Sequence, residues 1–106
     1  MADRVFSQDK IRHLIAGYKE KLQLMHIPVT KVYLYGSYAK KQANSRSDVD
    51  VCVISPAFDD RVESTMTLMK IRDDDELVLS PIAFSPGSFV DENPLVWEIK
   101  RTGVVM

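Results

Sequence analysis

The chain has 106 residues, with 14 Lys plus Arg against 15 Asp plus Glu, and 45% of its residues are hydrophobic. This length allows one modest hydrophobic core, so we predict a single domain over residues 1–106 and exclude a second one. The formal net charge of −1 excludes the strongly basic surface that non-specific nucleic-acid binding requires. Nucleic acid is therefore not expected as a stable partner.

The chain has one cysteine, Cys52, which excludes both an intrachain disulfide and a zinc cluster of paired cysteines. Residues 1–9 lack the apolar run behind a basic start that defines a signal peptide. No segment approaches a membrane span in length and hydropathy. We therefore expect a cytoplasmic protein without a membrane partner.

The first half of the chain predicts one helix and two strands. Apolar residues at helical spacing predict an amphipathic helix over residues 8–26, with Ser7 as its N-cap. Alternating apolar residues predict strands over residues 31–35 and 48–54. The segment between them, residues 38–47, begins with helix formers and ends in loop residues.

The second half predicts a helix, a strand and a further helix. An almost wholly apolar stretch, residues 77–84, predicts the strand even though it contains Pro81. Residues 93–102 return to helical spacing, and residues 60–72 show a weaker helical pattern. The alternation of helices and strands predicts an α/β or α+β fold. In the weaker helix Val62, Met66 and Met69 lie at helical spacing, and Leu68 and Ile71 blur this apolar stripe.

One constellation points to chemistry, namely Gly36-Ser37 followed after ten residues by Asp48-Val49-Asp50. Alternation along a strand places Asp48 and Asp50 on one face. Two neighbouring carboxylates on one face repel each other unless a cation lies between them. Hard oxygen ligands of this kind favour Mg²⁺ or Mn²⁺. The pair therefore predicts a divalent metal site.

Gly36-Ser37 follows a strand and opens a helical turn, where backbone N–H groups are free to bind an anion. Glycine lets a phosphate approach the backbone, and the serine hydroxyl is a short hydrogen-bond donor. With the two carboxylates, this arrangement predicts binding of a metal-bound nucleoside triphosphate (NTP).

The stretch from Gly36-Ser37-Tyr38-Ala39-Lys40 to Ser47-Asp48-Val49-Asp50 resembles the DNA polymerase β-like nucleotidyltransferase superfamily, in particular its minimal branch, which includes antitoxins paired with HEPN-type toxins. The resemblance implies an α+β fold with a small mixed sheet of three to five strands flanked by helices. It also implies metal binding and catalysis by Asp48 and Asp50. The nucleotide-binding residues that it implies are Gly36, Ser37, Lys40 and Ser47.

The implied reaction moves a nucleoside monophosphate (NMP) from an NTP, with ATP expected, to a hydroxyl group on a macromolecule. The cofactor would be Mg²⁺ or Mn²⁺. A chain of this length has no room for an acceptor-binding domain, so a partner protein or a second copy of the chain must supply one. The resemblance implies a HEPN-type toxin as that partner.

Two positions depart from the family pattern. Lys40-Lys41 replaces the Arg-Gly of many relatives, and the third carboxylate of the family is missing from the next strand, where our register places Ser80. Glu76, at the entrance of that strand, is the nearest acid. The missing acid favours a second hypothesis, a catalytically degenerate module that binds its partner or acts as an antitoxin by complex formation. A nucleic-acid adaptor is a third and weaker hypothesis, because the net charge is near zero.

Overall fold

The computed structural model describes residues 5–106. Residues 1–4 lie outside the described residues. They belong to the predicted domain (residues 1–106) and to the segment in which no signal peptide is predicted (residues 1–9). The elements in chain order are α1 (Gln8–Leu24), β1 (Lys31–Tyr35), β2 (Val49–Ile54), α2 (Arg61–Lys70), a 3-10 helix (Asp74–Glu76), β3 (Leu79–Phe84), α3 (Pro94–Thr102) and β4 (Val104–Val105). Among the described residues, no helix is long and apolar enough to span a membrane.

The four strands form one mixed sheet in the order β3-β2-β1-β4. β1 pairs antiparallel with both β2 and β4, whereas β2 and β3 are parallel. The predicted α+β fold with a small mixed sheet flanked by helices is therefore confirmed. β4 was not predicted, because two valines directly after a helix give no strand pattern of their own.

Helices cover both faces of the sheet. The first face is formed by valines, leucines and an alanine of β1, β2 and β3, and it packs against α1 and Leu68 of α2. The second face includes Cys52, Ile54 and Phe84, and it packs against Val96 and Ile99 of α3. Because side chains alternate along a strand, Asp50 lies on this second face with Cys52.

The first helix begins where the sequence predicts. The Ser7 side chain accepts a hydrogen bond from the backbone N–H of Lys10 at 3.1 Å, as an N-cap does. The helix ends at Leu24, two residues earlier than predicted, and His26 just beyond it has a φ of 63°.

The stripe of Val62, Met66 and Met69 is not the buried face of α2, so this part of the prediction is wrong. Leu68 is buried, whereas Val62, Met66 and Met69 are 68%, 52% and 43% exposed. The helix packs on the sheet through Leu68. Thr65 of the same helix also contacts β3, since its hydroxyl accepts a hydrogen bond from the backbone N–H of Ala83 at 3.0 Å. Helical spacing alone did not distinguish this face from the methionine face.

Pro81 is compatible with β3 because β3 is an edge strand. The N–H of Ala83 points away from β2, toward α2, and residue 81 has the same orientation because orientation repeats every two residues along a strand. The N–H that proline lacks would therefore have pointed away from the sheet.

Candidate functional site

The Gly36-Ser37 pair opens a single helical turn directly after β1. Lys40 donates its backbone N–H to the Gly36 carbonyl at 3.1 Å, and Gln42 donates to the Ser37 carbonyl at 2.8 Å. Lys41 ends the turn in the left-handed conformation, with a φ of 58°, so the helix-like start of residues 38–47 does not continue. A glycine at position 41 would adopt this conformation without strain.

The candidate phosphate donors are the first N–H groups of this turn. The backbone hydrogen bonds of the turn begin at the Lys40 N–H, so the N–H groups of Ser37, Tyr38 and Ala39 have no backbone acceptor within residues 5–106. Such unpaired N–H groups at the start of a helical turn are a favourable environment for an anion.

Gly36 lies directly against the Asp50 carboxylate. Tyr35 and Asp50 are paired residues of β1 and β2, so the residue after Tyr35 passes beside the Asp50 side chain. A Cβ atom at Gly36 would lie only 2.2 Å from Asp50 Oδ2, and Gly36 has a φ of 76°. Only glycine fits this position without displacing the carboxylate or straining the backbone. The two halves of the motif are thus in contact.

The ionisation of Asp50 is disfavoured by its surroundings. Burial raises the pKa of the Asp50 carboxyl, and the nearby Asp48 raises it further. Asp48 is exposed and lies one residue before β2 begins, whereas the predicted strand included it. A cation between the two carboxylates would relieve their repulsion.

Asp50 also affects its neighbours on the second sheet face. The pKa of the Tyr35 hydroxyl is raised by burial and, to a smaller extent, by Asp50. Burial raises the pKa of the Cys52 thiol to about 12. Both groups are therefore neutral at physiological pH, and neither adds charge beside Asp50.

The register of β3 confirms that Ser80 is the residue beside Asp50 on the next strand. Among residues 5–106, no group of three or more His, Cys, Asp or Glu side chains is close enough to hold a metal ion. The protein donors for a cation here are thus two carboxylates, with the Ser80 hydroxyl on the adjacent strand. Carboxylate and hydroxyl oxygens are a donor set that fits Mg²⁺ or Mn²⁺.

Glu76, the nearest acid in sequence, has a structural role away from Asp50. Its side chain is buried and forms an ion pair with Lys21 of α1, which also pairs with Asp73 at 2.9 Å. Glu76 also accepts a hydrogen bond from the Asp73 backbone N–H at 2.8 Å, which caps the 3-10 helix. Burial by itself lowers the pKa of Lys21, but the hydrogen bonds to Glu76 and Asp73 outweigh it and raise the pKa above its ordinary value.

The remaining two candidate residues, Lys40 and Ser47, have protein partners. Lys40 Nζ lies 3.3 Å from Glu98 Oε2 on α3. Ser47 Oγ accepts a hydrogen bond from the Asn44 backbone N–H at 2.9 Å, and the Ser47 N–H donates to the Asn44 carbonyl at 3.0 Å. Ser47 therefore stabilises the loop before Asp48. Sequence reasoning did not find Glu98, because no local pattern connects residues 40 and 98.

The geometry therefore defines a two-carboxylate centre beside a glycine-serine turn, on a sheet flanked by helices. The sequence model of the nucleotidyltransferase domain family matches residues 12–101. The chain belongs to this family, whose domains transfer nucleotidyl groups and generally use an NTP and a divalent metal.

Comparison with solved structures agrees with the fold. A crystal structure of a protein from Sulfolobus solfataricus, described as a nucleotidyltransferase, is similar with a TM-score of 0.61 and 19% sequence identity. The similarity covers 91% of this chain and 80% of that one. At this level of identity the comparison shows the fold alone. No curated protein matches the sequence.

Proposed function

We propose that this protein is a metal-dependent nucleotidyltransferase that moves NMP from an NTP, with ATP as the nucleotide, to a hydroxyl group on a macromolecule. The observation that supports this most directly is the contact between Gly36 and the Asp50 carboxylate, because it joins the candidate phosphate turn to the candidate metal ligands. Binding of a polyphosphate and a cation at one place is what the reaction needs.

Each residue of the candidate site has a distinct role in this proposal. Asp48 and Asp50 would hold Mg²⁺ or Mn²⁺, which would supply charge neutralisation for the polyphosphate and lower the pKa of the acceptor hydroxyl. The N–H groups that follow Gly36 and the Ser37 hydroxyl bind phosphate oxygens. Lys40 adds a positive charge, and Ser47 holds the loop that presents Asp48.

At the α-phosphorus the reaction forms one bond and breaks one, and a proton leaves the acceptor. The acceptor oxygen bonds to the α-phosphorus of ATP, the bond from that phosphorus to the pyrophosphate oxygen breaks, and the acceptor hydroxyl loses its proton. Within residues 5–106 no third carboxylate joins Asp48 and Asp50, so the proton passes to water or to a base of the partner.

The proposed acceptor is a partner protein of the HEPN toxin type, and the proposed location is the cytoplasm. Both rest on the resemblance of the Gly36-Ser37 and Asp48-Val49-Asp50 stretch to the minimal nucleotidyltransferases. A second copy of the chain is the alternative source of an acceptor surface. Neither a membrane nor a stable nucleic-acid partner is part of the proposal.

One observation favours a second function. Ser80 stands beside Asp50 where a third carboxylate would complete the metal site, and without that ligand the chain would bind nucleotide without transferring it. The chain would then act as a binding module that neutralises its partner by forming a complex.

The two functions are distinguished by incubating the chain with a HEPN-type toxin, Mg²⁺ and ATP labelled on the α-phosphate. Transfer predicts label on the partner and release of pyrophosphate, both lost in Asp48→Asn with Asp50→Asn. Asp75→Asn, which removes an exposed acid of the 3-10 helix, is the matched control and should retain transfer. A stable complex without label would support the binding module and contradict transfer.

A further inference from the structure

An ion pair connects the glycine-serine turn to α3. Lys40 directly precedes Lys41, whose backbone is in the left-handed conformation. The Lys40 Nζ lies 3.3 Å from Glu98 Oε2. The two side chains are 39% and 33% exposed, so the pair is accessible to solvent and to a ligand. Among the described residues it is a direct side-chain link between the candidate phosphate turn and the helix that covers the Asp50 face.

Glu98 keeps other partners when Lys40 leaves. Arg101 donates to both Glu98 carboxylate oxygens, at 3.1 and 3.4 Å, and the Thr102 hydroxyl lies 3.3 Å from Oε2. The hydrogen bond from Arg101, followed by that from Lys40, lowers the pKa of Glu98, so the group is an anion at neutral pH. The ion pair of Lys40 among the described residues, by contrast, is with Glu98.

The pair lies on the side of the molecule where a nucleotide would bind. α3 packs through Val96 and Ile99 on the sheet face that also includes Asp50 and Cys52. A polyphosphate at the turn would compete with Glu98 for the Lys40 ammonium. Exposed ion pairs are weak and exchange easily, so Lys40 can move from one acceptor to the other.

We propose that Glu98 is a positioning residue that holds the Lys40 side chain when no nucleotide is bound and releases it to the polyphosphate, so that this ion pair reduces nucleotide affinity. The inference rests on the proposed function, because it assumes that Lys40 binds phosphate. It adds a residue of α3 to the determinants of nucleotide binding. Arg101 then keeps Glu98 neutralised while Lys40 is engaged elsewhere.

The test is titration calorimetry of the full chain with ATP in Mg²⁺. We expect Glu98→Gln to bind ATP about two- to fivefold more tightly than the wild type, and Lys40→Gln to bind it more weakly. In the Lys40→Gln background, Glu98→Gln should have no further effect. Glu92→Gln, which removes an exposed acid just before α3, is the matched charge control and should leave the affinity unchanged.

A second measurement uses the wild-type chain and needs no variant to fold. The carboxyl group of Glu98, followed by NMR, should show a pKa that rises toward its ordinary value when ATP and Mg²⁺ are added, because one of its two cations has left. Adenosine, which has no phosphate, should leave this pKa unchanged.

The outcomes separate this inference from the proposed function. ATP binding with equal or lower affinity in Glu98→Gln, or an unchanged Glu98 pKa in the ATP complex, would overturn the role of Glu98 alone. A gain in affinity that persists in the Lys40→Gln background would show repulsion without exchange and would also overturn it. Absence of ATP binding in every chain would overturn the proposed function, and the inference with it.

Discussion

The residue with the most restricted environment is Gly36. Its φ of 76° is unfavourable for any residue with a side chain, and the position of a Cβ is already occupied by the Asp50 carboxylate. Two independent constraints therefore select glycine here, one from the backbone and one from the neighbouring side chain. This explains in physical terms why glycine precedes the serine of the motif.

Replacing Gly36 with alanine should both destabilise the fold and displace Asp50. The left-handed conformation alone costs about 1–3 kcal/mol in a residue other than glycine, and the steric conflict with Asp50 adds to this. Denaturant unfolding measures the loss, and calorimetry with Mn²⁺ measures the effect on the metal site. The matched control is Gly17→Ala on α1, where a Cβ meets no atom within 4 Å. This substitution should stabilise the helix by about 0.5–1 kcal/mol. Equal effects at the two positions would contradict the contact.

A second prediction at this scale concerns the pH dependence that Asp50 causes. The native pKa of Asp50 is raised above its ordinary value of 3.8, so between these two values the native state binds more protons than the unfolded state. Without metal, the Asp50 contribution therefore makes the protein less stable as the pH rises through this window, and the cost persists at pH 7.

Asp50→Asn removes this cost, so in chelator at pH 7 the variant should be more stable by roughly 0.5–2 kcal/mol. The difference should disappear below the ordinary pKa of aspartate. Adding Mg²⁺ should raise the melting temperature of the wild type and leave that of the variant unchanged. Melting curves at several pH values check both statements, and a variant that is less stable at pH 7 would contradict the electrostatic account.

At the scale of elements, the two acids nearest β3, Asp50 and Glu76, lie on opposite sides of the sheet. Asp50 lies on the sheet face that α3 covers, whereas Glu76 caps the 3-10 helix and pairs with Lys21 of α1. The pair with Lys21 links α1 to the segment that leads into β3. Glu76 therefore stabilises the fold and is not a substitute for the missing third carboxylate.

Glu76→Gln should reduce stability without affecting metal binding. The buried position loses a charged hydrogen-bond acceptor, at a cost of about 1–3 kcal/mol, whereas Asp48 and Asp50 are unchanged. Chemical denaturation measures the first effect, and Mn²⁺ titration of the folded variant measures the second. A large loss of Mn²⁺ affinity in a folded Glu76→Gln chain would instead identify Glu76 as a metal ligand.

Elements with strong local signals were predictable from the sequence, and those defined by distant contacts were not. The Ser7 cap and the apolar spacing of α1 predicted that helix to within two residues at its end. The position of Ser80 beside Asp50 was predicted from the family resemblance, because alternation within a strand does not define its register with the next one. The buried face of α2 depends on Leu68 and on a Thr65 hydrogen bond to another element, so periodicity alone selected the wrong side. β4 exists only because Val104 and Val105 pair with β1.

The same distinction holds for the candidate site. The spacing of Gly36-Ser37 and Asp48-Val49-Asp50 indicated which residues would converge, because each lies at the end of a strand. The pairing of Lys40 with Glu98 could not be predicted, since it depends on how α3 packs across the sheet. The sequence also gave no sign that Glu76 would be neutralised by Lys21.

At the scale of the whole molecule, helices on both faces leave the candidate site at one end of the sheet, formed by β1, β2 and β3. Ser80 is the position on β3 where an added acid would complete a three-carboxylate centre. The fold therefore has a place for the third ligand even though the residue is absent.

Ser80→Asp should raise the affinity for Mn²⁺ by about tenfold, because affinity increases with the number of charged ligands. In the absence of metal the variant should be less stable than the wild type, since a third negative charge is added beside Asp50. If the wild type transfers NMP slowly, the variant should transfer it faster. Ser80→Asn is the control of matched size, and a similar gain in that variant would contradict a role for charge. Calorimetry and melting curves with and without Mn²⁺ provide the measurements.

Gly36 directly follows β1 and Asp50 lies in β2, and these two consecutive antiparallel strands are joined by residues 36–48. Such a hairpin closes a short loop, whereas the parallel partner β3 must wait for the crossover through α2. We therefore expect the glycine and the aspartate to meet early in folding, before the C-terminal helix docks. The core of the candidate site is in this sense a local product of the chain, and conditions that loosen only the C-terminal elements should leave it assembled.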